Sequence, residues 1–364
     1  MVPQKLVCCL ALLFMVGASA HGEEAEPLEK NVSATDEQKR ESPWLIVPLV
    51  SSNPKLGTSG GAMAGYMYHF DDKSPVSIFG VGGLYTTTNS KVGSVFARTF
   101  FGEGRQRLNV FAASGEINND YSNFNNTGFT VKSQGNIRGV FARYLYGVSE
   151  HWYVGVQMAV TNYTIIAQDV LSEIVLDLSG LKGLDSNGAG LVVNYDSRNN
   201  VNTPVSGIYA LANNIAFRKG LGGTVNFDVY AFTLKQYLPH GDRFVLGWKL
   251  SNQWTKDAPP SGYASVSLRG YTRGQYIAPD MSSLEIEERI GIGESWGMTA
   301  FAGVACLYGD DMQCSDSDSE NIYPEGGGGI YYMLKPQDKI AVTMEYAIGK
   351  EDNQGFYLKM GWGF

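Results

Sequence analysis

A transmembrane antiparallel β-barrel of about 16 strands is the all-β fold class this sequence predicts. Three observations carry it. From Trp44 onward the chain alternates apolar with small or polar residues in strand-length segments, it holds no apolar run long enough for a membrane helix, and it closes on Phe364. Composition agrees. Charged residues make up 18% of the 364, while Gly (44) and Tyr (21) are abundant; a soluble chain carries about a quarter charged residues. Mean hydropathy is −0.14, too polar for a bundle of helical spans.

The first residues read as processing signals. Lys5 supplies a positive start, Leu6 to Gly17 is apolar, and Ala18-Ser19-Ala20 forms a cleavage site, so residues 1–20 are expected to be a signal peptide. The apolar run is too short to span about 30 Å of hydrocarbon as a helix. Residues 21–43 carry Glu23, Glu24, Glu26, Glu29, Asp36, Glu37 and Glu41 and almost nothing apolar, which predicts a disordered periplasmic lead-in. The barrel is then expected over 44–364.

Strands are expected to begin near Trp44, Gly60, Val76, Gly93, Leu108, Val131, Trp152 and Gly188. The series continues near Gly207, Val225, Arg243, Ser283, Gly297, Gly327, Lys339 and Gly355. Near the end, Ile340, Val342, Met344, Tyr346 and Ile348 fall on one phase and Ala341, Thr343, Glu345 and Ala347 on the other. Phe356, Leu358, Met360, Trp362 and Phe364 then alternate with Tyr357, Lys359, Gly361 and Gly363. Short connections such as Asp71–Pro75, Val148–His151 and Pro239–Asp242 alternate with longer ones, as periplasmic turns and extracellular loops do.

Alternation occurs in soluble sandwiches as well, so the direction of the apolar phase has to be decided. So much strand exceeds what one sandwich core needs, and the aromatic C-terminal strand has the form of a barrel assembly signal. The apolar phase is therefore expected to face lipid in a Gram-negative outer membrane, around a polar lumen. Strands in hydrocarbon must close on themselves, because lipid offers the backbone no hydrogen-bond partner.

After cleavage two cysteines remain, Cys306 and Cys314; in an exported chain this spacing predicts a disulfide across a loop. An acidic balance of 36 Asp+Glu against 28 Lys+Arg argues against a nucleic-acid partner. The histidines His21, His69, His151 and His240 sit in no nucleophile motif, so no enzyme activity, metal or cofactor is expected. By strict alternation Glu288 would point at lipid beside Ile286 and Ile290, with no evident partner.

The segment 257–289 carries Leu268-Arg269-Gly270-Tyr271 and, further on, Glu287-Glu288-Arg289. This resembles the V/L-R-G-F/Y signature of the BamA/TamA superfamily, also called the bacterial surface antigen family. Asn194-Tyr195-Asp196-Ser197-Arg198 with Pro204 and Gly207 resembles that family's Y-D-x-R…P-x-x-G turn. The resemblance extends to the first and last hairpins and implies that loop 255–282 folds back into the lumen, anchored by Arg269. Two departures stand out. The lead-in is far shorter than one of the periplasmic POTRA domains carried by family members that insert or translocate proteins. The family's F-x-D-x-G becomes Phe301-Ala302-Gly303-Val304-Ala305, so Glu285 or Glu287 is expected to replace the acid. A buried guanidinium left unpaired would be costly. For Asp196 and Arg198 the preferred reading is structural, as a tight turn with Pro204 and Gly207.

The resemblance implies two functions. One is assistance in outer-membrane biogenesis, through protein or lipid insertion or translocation at a weak first-to-last seam. The other is a passive pore or structural barrel without insertase action. Implied partners are outer-membrane lipids and, during biogenesis, the barrel assembly machinery, with room for a separate POTRA-bearing periplasmic partner. The expected processed bond is Ala20–His21: N-terminal sequencing of the mature chain should begin at His21, in the outer-membrane fraction.

Overall fold

The computed structural model describes residues 42–361 apart from 54–56, 122–130, 179–182, 272, 310–312, 315–320, 337 and 351–352. The expected signal peptide, residues 21–41 of the lead-in, and Trp362 and Phe364 lie outside the described residues. The chain forms β1 (Trp44–Asn53), β2 (Gly57–Tyr68), β3 (Ser77–Thr86), β4 (Lys91–Phe101), β5 (Gln106–Tyr121) and β6 (Val131–Gly147). Then come β7 (Trp152–Ala167), β8 (Leu184–Asp196), β9 (Gly207–Phe217), β10 (Phe227–Pro239) and β11 (Phe244–Lys256). A two-strand ladder, β12 (Ala264–Ser265) and β13 (Ile277–Ala278), stands apart from the wall. The wall resumes with β14 (Asp280–Ile292), β15 (Trp296–Tyr308), β16 (Ile322–Lys335), β17 (Ile340–Gly349) and β18 (Gln354–Met360).

Each wall strand pairs antiparallel with the next, β11 pairs with β14 across the inserted ladder, and β1 pairs with β18, closing a barrel of 16 strands. Every expected strand is present. The boundaries moved most at β8 and β16, where pairing continues through Asp185 and Tyr323 ahead of the expected Gly188 and Gly327. Cross-strand bonding, not local residue type, sets where a ladder ends. For the same reason the lumenal loop is 257–279, with both ends of the expected 255–282 taken into β11 and β14.

The outward phase is apolar: Ile46, Val81, Val95, Val156, Leu191 and Met298 are all exposed. At the end where the first strand starts, aromatic pairs cap this band: Trp44 with Tyr66, Trp152 with Tyr195, and Trp296 with Tyr332, their centroids 5.2, 5.1 and 4.8 Å apart. Such girdles mark the membrane interface of outer-membrane barrels. Three of the longest connections, 168–183, 257–279 and 309–321, leave the opposite end.

Two local expectations need correction. Ile340 was expected on the outward phase with Met344 and Tyr346. Instead it is 2% exposed and packs with Leu45, Val47, Met67, Val76 and Ile78, because the register between β16 and β17 shifts at Met333/Lys335. The second is a helix that strand periodicity concealed, α1 (Val170–Leu178), in the connection after β7. Asp169 starts it by accepting the Ser172 N–H through Oδ1 at 2.7 Å.

Cys306 at the end of β15 and Cys314 beyond it are joined in a disulfide, with Cα atoms 5.7 Å apart. Thiol labelling of the mature chain should therefore find no free cysteine in denaturant and two after reduction. Labelling before reduction would disprove the bond.

Candidate functional site

The lumen is occupied by the chain's own 257–279 loop. Ala264, Val266, Leu268, Tyr271 and Ala278 from the loop pack on Met281, Ala305, Leu307 and Tyr323 of the inner wall. Burial of this apolar set stabilises the loop inside the barrel at roughly 25 cal/mol per Å2 removed from water. Polar contacts fix its tip. Tyr271 donates its hydroxyl hydrogen to the Pro324 carbonyl at 2.5 Å and accepts the Lys350 N–H at 2.7 Å. Gly270 donates its N–H to the Tyr357 hydroxyl at 3.0 Å. With φ at +88° and the backbone of Ala347 and Ile348 against it, position 270 favours a residue without a side chain.

Arg269 lies 8% exposed inside this frame, its guanidinium 3.4 Å from the centroid of the Phe301 ring. Nη1 donates to Glu287 Oε2 at 2.7 Å, and Nη2 is 3.7 Å from Glu285 Oε2. Glu325 and Glu345 approach it at 3.8 and 3.6 Å. Each of the four carboxylates has a reason to be there. Glu285 and Glu287 share the inward phase of β14, while Glu325 of β16 and Glu345 of β17 come in from the next strands.

Gly303 lies between two of these acids. Its partners in the ladder are Glu285 on one side and Glu325 on the other. A Cβ at 303 would stand 2.9 Å from Glu325 Oε1 and 3.1 Å from Glu285 Cγ. The carboxylates of the two flanking strands thus fill the space of an acid on β15. Glu285 and Glu287 were legible from the family resemblance together with their inward phase. Glu325 and Glu345 were not, although the alternation Glu345–Ala347 against Met344–Tyr346 was a signal that Glu345 points inward.

The other cations complete the cluster. Lys249 Nζ is 2.6 Å from Glu285, Lys359 Nζ is 2.8 Å from Glu345, and Arg289 Nε donates to Glu287 Oε1 at 2.8 Å. Arg289 Nη1 also donates to the Pro204 carbonyl at 3.0 Å. Pro204 belongs to the turn after β8, where Arg198 grips Asp196 with Nε and Nη2 at 2.8 and 2.9 Å. Arg107 adds a bond to Asp196 at 2.9 Å while stacking 3.6 Å over Tyr153. Gly207 has φ +102° with the Ser197 carbonyl where a Cβ would be, so that turn needs glycine. One polar chain therefore runs from the Asp196 turn through Pro204, Arg289 and Glu287 to Arg269.

Of the C-terminal positions, Phe356 and Leu358 pair with Ser52 and Val50 across the closure, and Met360 packs beside the Leu45 cluster. Glu288 has the partner its outward phase left unexplained: His240 Nε2 in the β10–β11 turn is 3.0 Å from its Oε1, and that ring stacks on Phe244. The adjacency of β10, β11 and β14 brings the two together, which the sequence did not reveal.

Fold and lumen together define an integral outer-membrane barrel plugged by its own loop. The Omp85 superfamily domain matches residues 77–361, and the chain belongs to the Omp85 superfamily. Among solved structures it is similar to BamA from Haemophilus ducreyi lacking POTRA domains 1–3, at 15% identity and TM-score 0.56, covering 96% of this chain and 76% of that one. It is also similar to CdiB from Escherichia coli, at 12% identity and TM-score 0.59, covering 94% and 68%. CdiB from Acinetobacter baumannii matches at 10% identity and TM-score 0.58, covering 87% of this chain and 59% of that chain. No curated protein matches the sequence.

Arg269→Ala should leave four clustered carboxylates short of one cation and weaken loop docking by about 3–5 kcal/mol. Limited proteolysis should then cut within 257–279 while heat-modifiable migration on gels is retained, since no wall ladder uses that side chain. Unchanged protease resistance would count against this account of the loop.

Proposed function

We propose that this barrel assists outer-membrane biogenesis by letting a protein or lipid enter the membrane at the seam between β1 and β18. The observation that carries the reading is how little holds that seam. Among the described residues three pairs join the two strands, Val50 with Leu358, Ser51 with Tyr357 and Ser52 with Phe356, against ten between β1 and β2. Toward the aromatic girdle β1 continues through Pro48, which has no N–H to give a neighbour, and Leu45 and Val47 are buried with Met67, Val76, Ile78 and Ile340. Each missing pair lowers the cost of separating the strands, because a net backbone hydrogen bond contributes about 1 kcal/mol.

Loop and seam also share a residue. Tyr357, which receives the Gly270 N–H, is itself the seam partner of Ser51. A loop seated through Arg269 therefore braces the strand that would move. The filled lumen speaks against a passive pore, since a conducted solute would have to displace the loop. A barrel assembly machinery and a separate POTRA-bearing partner remain the partners this role would use.

The test is a reversible lock. Cells depleted of the protein are complemented with a Val50→Cys/Leu358→Cys variant, whose positions face each other across the seam. Under oxidising conditions the protein and lipid profile of the outer membrane should stay deficient, and reduction should restore it. A locked barrel that complements as well as the reduced one would favour the passive reading.

A further inference from the structure

The outer wall carries a cavity that neither the lumen nor the seam uses. It has a volume of about 710 Å3 and is lined by Gly60 of β2, Gly83 and Tyr85 of β3, Lys91 and Gly93 of β4, and Arg138 of β6. All six are in the exposed phase of their strands, the phase that presents Val81, Val95 and Val140 to lipid. The space exists because three strands in succession place glycine where an outward side chain would stand. A Cβ at Gly60, Gly83 or Gly93 would meet nothing within 4 Å.

Its level in the membrane follows from the fold. The cavity sits toward the end opposite the Trp44, Trp152 and Trp296 girdle, two residues along from Val81, Val95 and Val140 on their strands. Hydrocarbon therefore meets its lower edge and headgroups its upper edge. The upper edge is lined by Lys91, Glu116 and Arg138, two cations against one carboxylate. Lys91 is paired with Glu116 at 3.0 Å, whereas Arg138 has no carboxylate partner among the described residues. A cation on a barrel's outer wall is unfavourable within hydrocarbon and is stabilised at the headgroup level by anionic groups. Tyr85, its hydroxyl tied to Asn89 at 2.6 Å, supplies the amphipathic flank found at such interfaces.

We infer that this cavity binds a phosphate-bearing lipid of the outer leaflet, with the phosphate against Arg138 and an acyl chain over the Gly83–Gly93 floor. Charge and shape both select that occupant: a guanidinium with no carboxylate partner among the described residues calls for an anion, and a recess that runs into the valine band calls for hydrocarbon. A soluble anion would use the first feature alone, and a neutral lipid the second alone. The site faces outward and shares no residue with the Arg269 cluster or with β18, so it stands or falls apart from the seam reading.

The experiment uses the full barrel purified in detergent micelles, challenged with lipid A, with a phosphate-free form of the same lipid, or with inorganic phosphate alone. Native mass spectrometry reads retention. The wild-type barrel should retain lipid A and release the phosphate-free form, and inorganic phosphate at the same concentration should not displace the lipid. Arg138→Ala should weaken retention about fivefold, the share one basic residue contributes at a charged membrane surface. Gly93→Leu should weaken it at least as much by filling the recess, with heat-modifiable migration confirming that both variants close. Gly83→Leu replaces Gly93→Leu should the latter fail to assemble. Undiminished retention in either kind of variant, equal retention of the phosphate-free lipid, or full displacement by inorganic phosphate would overturn the inference.

Discussion

Every peptide group at the depth of the hydrocarbon has only a neighbouring strand to bond with, and the molecule is organised around that shortage. The wall strands satisfy it by pairing in chain order and closing β1 on β18. Closure in turn fixes which side chains face inward. The polar phase of each strand is delivered to one enclosed space, where charges that alternation placed independently must neutralise each other. Among the described residues the closure has the fewest paired positions of any contact in the wall.

Inside, the loop solves a second shortage. Carboxylates on β14, β16 and β17 converge on one point of the lumen, where their side chains are buried and need a partner charge. Arg269 reaches them from the centre, which no wall residue could do with comparable geometry, and its planar fork stacks on Phe301 while bonding Glu287. Arg289 then ties the same carboxylate to the turn that holds Asp196. The two motifs that looked separate along the chain are opposite ends of one hydrogen-bonded path.

Much of the wall was legible because strand periodicity is a local property. Ile46, Val81 and Val95 announce their outward phase within a few residues of themselves. What depended on several strands meeting was not legible. Glu325 and Glu345 reach Arg269 through registers set by three ladders, and no short segment encodes a register. The partner of Glu288 was hidden for the same reason, since His240 meets it across β11. Helix α1 escaped notice because a short apolar segment between strands has too few residues to separate the two periods, and its Asp169 cap was the one available sign. Ile340 misled because a register shift two residues into the preceding hairpin cannot be seen in its own strand.

The lumenal cluster also bears on how this barrel closes. Four carboxylates, Glu285, Glu287, Glu325 and Glu345, surround Arg269 of the loop, and Lys249, Arg289 and Lys359 of the wall each bond one of them. A wall that closed without the loop would lack the one cation that, among the described residues, lies within 4 Å of all four acids. The loop stands directly before β14, so Arg269 and the strand that carries Glu285 and Glu287 are neighbours along the chain. Neither the acids nor Arg269 is neutralised without the other, so completing the acidic face of the wall and seating the loop depend on each other. Closing the wall and seating the loop are coupled events.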